Sequence, residues 1–261
     1  MAGDRPGPIE RYLQILEIVA ASARGLTLTD IAALTGLPKA TAHRLTRSLV
    51  EAGALATDDT WYKTFRVGDR MWRMLQLGAN PNTVESFSQI VLDELAARFH
   101  ETCYVVRLGR DNVRSIARSA PDQGHRLHVL PGEVLPPHAA ASAKAILAFQ
   151  PTDVIDRFLA EPLEKLTSRT VTSVTAVRDE LAEIRRLDYA VCDREIDDNV
   201  MAYACPIHLK SAGVIYSLGL TGPCTRLSQH PREMWIEALH DAARRLAVMF
   251  DTQSDSAPAL A

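Results

Sequence analysis

The 261-residue sequence predicts an α+β fold in two parts, on the basis of three observations. Between residues 26 and 68, two short helical patterns are followed by a hairpin pattern, as in a winged helix-turn-helix domain. The motif Asn80-Pro81-Asn82 then interrupts the chain. Beyond this motif, strand patterns alternate with helical ones, which is typical of helices grouped around an antiparallel sheet.

Composition is compatible with two folded domains and gives a weak indication of their roles. Hydrophobic residues make up 47% of the chain, enough to fill two cores. Residues 1–80 contain 10 Lys and Arg against 8 Asp and Glu, whereas the remainder contains 19 against 24. A slightly basic N-terminal part joined to an acidic remainder fits a nucleic-acid-binding module fused to another domain.

The sequence carries no sign of a membrane or export segment. No apolar run approaches the roughly 20 residues of a membrane helix, and the first residues lack the apolar core of a signal peptide. We therefore expect a cytoplasmic protein with no membrane partner. In a reducing compartment its four separated cysteines should be buried thiols, with a thiol sensor or a metal-ligand set as the alternative. They are Cys103, Cys192, Cys205 and Cys224.

The first two helices can be placed from local patterns. Thr27 and Asp30 form a capping pattern that predicts the start of the second helix, and Gly36 supplies the left-handed residue that ends it. A helical stripe predicts an earlier helix that packs across the pair. The stripe consists of Ile9, Tyr12, Leu13, Leu16 and Val19.

A third helix is predicted over residues 39–52, after Pro38 and before Gly53. Ala42, Leu45 and Leu49 fall on its inner face. The other face is cationic and rich in hydroxyls, which is how proteins present a helix to the DNA major groove. The predicted DNA contacts on this helix are Lys39, Ala40, Thr41, His43, Arg44, Arg47 and Ser48.

The segment 54–68 predicts a hairpin around the turn cluster Asp58-Asp59-Thr60, which would form the wing. Lys63 and Arg66 flank its aromatic residues. These cations are either solvated or in contact with DNA phosphates. Beside a basic helix we favour phosphate contact.

Residues 69–79 predict a short helix with a dense cluster of large apolar side chains, including Trp72 and Leu75. Such a helix must bury its apolar surface, either against a second subunit or within its own domain. The resulting domain prediction has four parts. They are a winged helix-turn-helix DNA-binding domain (1–68), a linker helix (69–81), an effector-binding and oligomerisation domain (82–251) and a disordered tail (252–261).

In the second domain, apolar residues three or four apart from Val84 to Phe99 predict an opening helix. Ser173 is a predicted N-cap of a long helix. The other helices are predicted over 139–149, from Pro151, and over 230–250. The predicted strands are 102–108, 112–118, 125–130, 190–194, 199–207 and 214–221.

Two of these strands place small side chains on one face. Gly219 and Thr221 point to one side of strand 214–221, and Val200 and Ala202 lie together on strand 199–207. Because such a face cannot fill a core by itself, either a helix packs very close to it or a small molecule occupies the space. The pattern alone does not decide between the two.

The loop before Ala139 favours the small-molecule alternative. A helix that opens after His138 with small residues through Ser142 presents uncrowded N–H groups and the positive end of its dipole, which suits a carboxylate. The alternative is an ordinary, tightly packed Ala-rich helix.

No motif predicts a cofactor, a metal site or a catalytic residue. His125 and His128 form an HxxH pair, but on a strand they would face opposite sides. The lone His138 is expected to be structural. Phosphate loops, nucleophile elbows and HExxH patterns do not occur. An enzyme therefore stays an unsupported alternative.

Six groups of segments, in order and with fitting spacings, resemble the IclR family of bacterial transcriptional regulators. They are LTLTDIA (26–32); GLPKATAHRL (36–45) with FRVG (65–68); LPPHA (135–139) with KAILA (144–148); LAEIR (181–185) with YAV (189–191); ACPI (204–207); and GP (222–223) with RLS (226–228).

The resemblance implies a winged helix-turn-helix domain, a linker helix and a GAF-like effector domain. It also implies a repressor or activator that binds a pseudo-palindromic DNA operator as a homodimer or homotetramer. A small-molecule effector, an organic or aromatic carboxylic acid, would control it. The effector positions implied by the resemblance are Ala141, Ser142, Cys192, Val200, Ala202, Gly219 and Thr221.

Four positions depart from the family pattern, in which Ala141 is often Gly or Thr, Asn199 is Gly, Gly219 is commonly Ser, and Cys192 can be acidic. Without the serine hydroxyl at position 219 and the acidic group at position 192, the pocket is predicted to be less polar. We therefore expect a larger or more apolar ligand, such as an aromatic carboxylate. A redox-responsive regulator that uses Cys192 or Cys205, both expected near the pocket, is the alternative.

Overall fold

The structure, a computed structural model, describes residues 7–22, 24–57, 63–68, 70–71, 74, 81–121, 129–160, 162–210 and 212–255. The chain divides into two units, Met1–Gly78 and Ala79–Ala261. Within the described ranges, no helix has both the length and the apolar character needed to cross a lipid bilayer.

The first unit contains the predicted helix-turn-helix and hairpin. Its helices include α1 (Pro8–Ala20), α2 (Leu28–Thr35) and α3 (Lys39–Glu51). Its strands are β1 (Leu26–Thr27), β2 (Leu55–Thr57) and β3 (Thr64–Val67). The predicted winged helix-turn-helix is therefore confirmed.

Both ends of α2 have the structure that the sequence predicts. The Thr27 hydroxyl accepts the Asp30 N–H at 3.3 Å, and the Asp30 carboxylate accepts the Thr27 N–H at 2.9 Å, which completes a capping box. Hydrogen bonds from the Thr27 hydroxyl and N–H hold the pKa of Asp30 below its usual value. At the other end, Gly36 has a φ of 65°, the left-handed conformation that terminates a helix.

Strand β1 extends the predicted hairpin to a three-stranded sheet in the order β1-β3-β2. Leu26 pairs with Phe65, and Thr27 pairs with Thr64. A strand of two residues is too short to leave a periodic pattern, so the sequence predicted only the hairpin. Thr27 thus belongs to the sheet and caps α2 at the same time.

Helix α1 buries only part of the predicted stripe: Tyr12 and Leu16 pack against the core as predicted. Val19 is buried as expected, but Ile9 and Leu13 are 74% and 46% exposed. Ile15, which lies outside the predicted stripe, is fully buried against a core that includes Ile31. Within the described part of a single chain, the side chains of Ile9 and Leu13 therefore stay exposed.

Two predicted features of the first unit lie outside the described residues. One is the turn cluster Asp58-Asp59-Thr60. The other is most of the predicted linker helix, of which residues 70, 71 and 74 are described and helical. Both stay predictions.

The second unit is built on an antiparallel sheet in the order β6-β5-β4-β9-β8-β7. Its strands are β4 (Thr102–Leu108), β5 (Val113–Ser119), β6 (Val134–Leu135), β7 (Ala190–Asp193), β8 (Val200–Leu209) and β9 (Gly213–Pro223). Its helices are α4 (Pro81–Phe99), α5 (Ala141–Leu147), α6 (Thr152–Phe158), α7 (Val174–Leu187), α8 (Cys224–Leu227) and α9 (Arg232–Asp255). The predicted α+β class is confirmed.

The predicted strand over 125–130 is corrected where the structure describes it. Val129 and Leu130 have no regular structure, and the rest of that range lies outside the described residues. The sheet edge is formed instead by β6, in which Leu135 pairs with Val113.

Several helix bounds also differ from the predictions. Helix α4 begins at Pro81, which the sequence assigned to the linker; proline is well tolerated in the first turn of a helix. Helix α5 begins at Ala141 because Ala140 is extended. Helix α9 continues to Asp255, so the tail prediction is wrong for residues 252–255, while residues 256–261 lie outside the description.

The sheet of the second unit is covered on both faces. The Ser217 hydroxyl donates to the Ser142 carbonyl at 2.9 Å, which places α5 on one face. On the opposite face, the Tyr216 ring packs against Phe250 of α9 with the ring centroids 5.1 Å apart. We call the α5 side the small-residue face, because its strand positions include Ala202, Ala204, Gly219 and Thr221.

Candidate functional site

Helix α3 has the two faces that its sequence predicts. Ala42, Leu45 and Leu49 are buried, together with Thr46, whose hydroxyl donates back to the Ala42 carbonyl at 2.9 Å. On the outer face, Lys39, Ala40, His43, Arg44 and Arg47 are exposed, and Thr41 and Ser48 are half-buried. The predicted helix contacts therefore share one accessible surface.

Not every polar group on this surface is equally available. The Ser48 hydroxyl donates to the Arg44 carbonyl at 3.1 Å, within the helix. Arg47 Nε lies 2.9 Å from Glu51 Oε1, but both side chains are mostly exposed. Such a solvated i,i+4 pair is worth only about 0.3–0.5 kcal/mol, so a DNA phosphate could readily compete for Arg47.

The start of α3 favours an anion. Pro38 is the N-cap and makes no side-chain cap, and the first turn holds Lys39 but no acidic residue. The positive end of the helix dipole therefore adds to the Lys39 charge.

The wing contributes two further exposed cations, Lys63 and Arg66. Arg66 lies on β3 opposite Ala56 of β2, and the neighbouring Phe65 is buried in the core of the unit. The buried aromatic residue anchors the strand from which Arg66 projects.

In the second unit, the strand positions of the predicted effector site lie on the small-residue face. Cys192 pairs with Ala202, and Ala202 pairs with Thr221. Thr221 pairs in turn with Thr102 of β4, so these four residues form one row across four strands. Gly219 lies two residues from Thr221, and Val200 two residues from Ala202. Ala141 and Ser142 open α5 on the same side of the sheet.

Two hydroxyls in this region are buried without a hydrogen-bond partner in the described part of the chain. They belong to Ser142, which is fully buried, and Thr102, which is 1% exposed. Thr221 differs from them because its hydroxyl donates to the Met201 carbonyl at 3.1 Å. A buried hydroxyl without a partner costs about 1–3 kcal/mol, so two of them near one face indicate a place for a polar ligand.

The sequence did not identify Tyr104 as part of this face. Tyr104 pairs with Gly219, and a Cβ added to Gly219 would lie 2.6 Å from the Tyr104 Cζ atom. Burial raises the pKa of the Tyr104 phenol, and Cys192 also raises it; the Ser142 hydroxyl, which lies close to the phenol but outside the geometry of a hydrogen bond, lowers it to a smaller extent. Three predicted effector residues thus surround this phenol. Only the strand register, which a sequence does not display, could have revealed it.

A second missed feature is a buried ion cluster on α5. The Lys144 side chain is fully buried, and its ammonium donates to Glu180 Oε1 at 2.6 Å and to both carboxylate oxygens of Glu195, at 2.8 and 3.0 Å. Burial opposes the Lys144 charge, but the two carboxylates outweigh it and raise the pKa of Lys144. Since all three ammonium protons are used, Lys144 is not free to bind a ligand carboxylate.

Three of the four cysteines are buried as expected, but Cys224 is only half-buried, so the expectation is wrong for that residue. Cys192 lies on the small-residue face, and burial raises its pKa to about 11. Cys205 lies on the opposite face, where its thiol points to the Ile236 carbonyl of α9, and burial raises its pKa as well. The expectation that both lie near the pocket is therefore wrong for Cys205. Protonated, buried thiols do not have the thiolate character of redox sensors.

The histidines do not form a metal site in the part of the chain that is described. His138 Nε2 lies 2.8 Å from the Glu164 carbonyl, and His125 and His128 are outside the described residues. No group of three or more His, Cys, Asp or Glu side chains among the described residues is placed to hold a metal ion.

Two family models match the chain. Residues 8–59 match the IclR helix-turn-helix domain, and residues 80–248 match the model described as bacterial transcriptional regulator IclR C-terminal. The second match alone covers more than half of the sequence.

Similar proteins support the same assignment along the whole chain. The probable transcriptional regulator SauR of Cupriavidus necator is 28% identical, covering 92% of this chain and 95% of that relative. A putative IclR regulator structure from Silicibacter sp. TM1040 is 27% identical, with a TM-score of 0.61, over 94% of this chain and 96% of that one. An IclR homologue from Microbacterium hydrocarbonoxydans, solved in complex with 4-hydroxybenzoate, is 25% identical, with a TM-score of 0.60, over 95% of this chain and 98% of that one.

Proposed function

The chain belongs to the IclR family of bacterial transcriptional regulators, and on that premise we propose that a small organic acid controls its affinity for DNA. In this proposal, α3 and the wing bind DNA, and the small-residue face binds the acid. The observation that carries the second assignment is the pair of unpartnered buried hydroxyls on Ser142 and Thr102.

The DNA-binding proposal rests on the exposed surface of α3. Arg44 and His43 are at the centre of this surface, where base edges of a major groove would lie, and Lys39 is at the positive end of the helix. Lys63 and Arg66 extend the cationic surface onto the wing, where flanking phosphates would lie.

We expect Arg44→Ala to weaken binding to a duplex selected from a random library by about 1–3 kcal/mol, because a bidentate contact to a base would be lost. Acid binding should be unchanged. Gel-shift titration measures the first effect, and Arg157→Ala, on the separate unit, is the control. An Arg44→Ala affinity equal to that of the control would remove Arg44 from the interface.

Two copies of the chain would bind a pseudo-palindromic operator, since a two-fold protein matches a two-fold site. The exposed Ile9 and Leu13, one turn apart on α1, support an interface between copies, whether the assembly is a homodimer or a homotetramer. Sedimentation of the wild-type protein beside Leu13→Glu tests this. An unchanged mass distribution would exclude this surface.

The effector proposal combines the geometry of the small-residue face with the relatives. The IclR homologue in complex with 4-hydroxybenzoate shows that a protein of this fold binds a carboxylic acid. In this chain, Ser142 and Thr102 offer hydroxyls that no described protein group satisfies. This regulation is allosteric if bound acid changes the affinity for DNA by the same factor by which bound DNA changes the affinity for the acid.

We expect Ser142→Ala to lower acid affinity without lowering the stability of the ligand-free protein. Removing an unsatisfied buried hydroxyl is neutral or stabilising, whereas removing a hydroxyl that binds the ligand costs about 0.5–1.5 kcal/mol or more of binding. Thermal-shift titration with a panel of short-chain and aromatic carboxylic acids measures both.

Ser217→Ala is the matched control, because the Ser217 hydroxyl donates to the Ser142 carbonyl and has a structural partner. It should lower the melting temperature. If Ser142→Ala instead lowered the melting temperature and left acid affinity unchanged, the proposed site would be wrong.

A further inference from the structure

The space above Gly219 is not empty. The absence of a side chain at this position predicts, by itself, room for a bulky ligand. In the structure, however, a Cβ at Gly219 would lie 2.6 Å from Cζ, 2.8 Å from Cε2 and 2.9 Å from the hydroxyl oxygen of Tyr104. The far end of the phenol therefore lies directly on the glycine.

The phenol is enclosed by residues of the proposed effector site. Tyr104 is 3% exposed, and its hydroxyl group is close enough to Ser142 and Cys192 for both to affect its pKa. Ser142 and Cys192 approach it from α5 and β7, respectively. The space that a ligand ring would need beside Gly219 is thus already taken by a 4-hydroxyphenyl group of the protein itself.

We propose that Tyr104 sets the size limit of the effector site, so that the site admits short-chain carboxylic acids and excludes aromatic ones. This inference rests on the proposed effector site and identifies the class of acid that it takes. An aromatic ring and the Tyr104 ring cannot occupy the same volume in a close-packed interior. A short acid needs only the remaining polar contacts, the hydroxyls of Ser142 and Thr102.

An aromatic side chain over a strand glycine can also be purely structural, since it covers the exposed backbone. A structural role predicts that shortening Tyr104 lowers stability and changes nothing in acid binding. The size-limit proposal predicts a gain of binding, which a structural role does not produce.

The test uses the full-length protein, with acetate, lactate and pyruvate as short-chain probes and benzoate and 4-hydroxybenzoate as aromatic probes. Isothermal titration measures each affinity. Tyr104→Leu keeps an apolar side chain but vacates the end of the ring, and an apolar cavity of this kind accepts aromatic guests. We expect its affinity for 4-hydroxybenzoate to exceed that of the wild-type protein by at least about tenfold.

Three further variants separate size from other causes. Tyr104→Phe keeps the ring and should exclude aromatic acids as the wild-type protein does. Tyr203→Leu shortens a buried tyrosine on the opposite face of the same sheet and should gain nothing. Adding Ser142→Ala to Tyr104→Leu should remove part of the gain, because the aromatic acid would share the proposed site.

The outcomes are distinct. If wild-type protein binds 4-hydroxybenzoate as tightly as Tyr104→Leu does, or if Tyr104→Phe admits it, the size-limit proposal is overturned. If short-chain acids bind the wild-type protein and Tyr104→Leu gains no affinity for aromatic acids, the size-limit proposal is overturned and the effector-site proposal is supported. If no acid in the panel binds either protein, both proposals fall.

Discussion

Lys144→Met should destabilise the second unit by about 3–5 kcal/mol, more than any other single change considered for this protein. The substitution nearly preserves side-chain volume and removes the cation from the buried cluster. Glu195, whose side chain is 10% exposed, and Glu180, at 32%, would be left as two neighbouring carboxylates without a counter-ion. Urea unfolding followed by circular dichroism measures the loss.

Lys165→Met is the matched control, since Lys165 is an exposed lysine of the same unit. A surface change of this kind usually stays within about 0.5 kcal/mol. Adding Glu195→Gln to Lys144→Met should recover part of the loss, because one buried charge is removed. A Lys144→Met protein as stable as the control would show that the cluster contributes no stability.

The cluster also affects the effector site. Lys144 lies two residues after Ser142 on α5, Glu180 lies on α7, and Glu195 lies three residues after Cys192. The three charges tie α5 to two neighbouring segments and so fix the position of the Ser142 hydroxyl. Such networks make an interior rigid when every member is satisfied, as the Lys144 ammonium is here.

DNA affinity should fall steeply with salt. Each copy of the chain exposes five lysines and arginines on α3 and the wing, namely Lys39, Arg44, Arg47, Lys63 and Arg66. Two copies on one operator would release counter-ions from several phosphates on each half-site. For about 6–10 phosphate contacts, affinity falls about 10³–10⁵-fold between about 50 and 200 mM salt.

Fluorescence anisotropy with a short duplex of mixed sequence measures this slope. Lys63→Ala and Lys39→Ala should each reduce the slope of log affinity against log salt by about one unit, which corresponds to the loss of one phosphate contact. Lys165→Ala, on the other unit, should not change it. A slope near zero for the wild-type protein would be incompatible with the proposed interface.

The first unit could be predicted from sequence because its signals are local. The capping box at Thr27, the left-handed Gly36 and the inner face of α3 each depend on residues a few positions apart. Strand β1 and the exposure of Ile9 could not be predicted, because both depend on what packs against them. A pattern of apolar residues does not say which of its members the fold covers.

The small-residue face was predicted only in part, for the same reason. Alternation along β9 correctly grouped Gly219 with Thr221, since the period of two is a local property. The position of Tyr104 over Gly219 depends on the pairing of β4 with β9, which are far apart in sequence. The sequence therefore left open what covers Gly219, and the structure shows that Tyr104 of the neighbouring strand does.

The dual position of Thr27 has a consequence for protein engineering. Its backbone is part of the sheet that carries the wing, and its hydroxyl fixes the start of α2. A chimera that exchanged the wing alone with a relative would keep α2 and its Thr27 cap but replace the strand that pairs with Thr27. Residues 26–68 should therefore be exchanged as a single cassette when new operator specificity is to be installed in this chain.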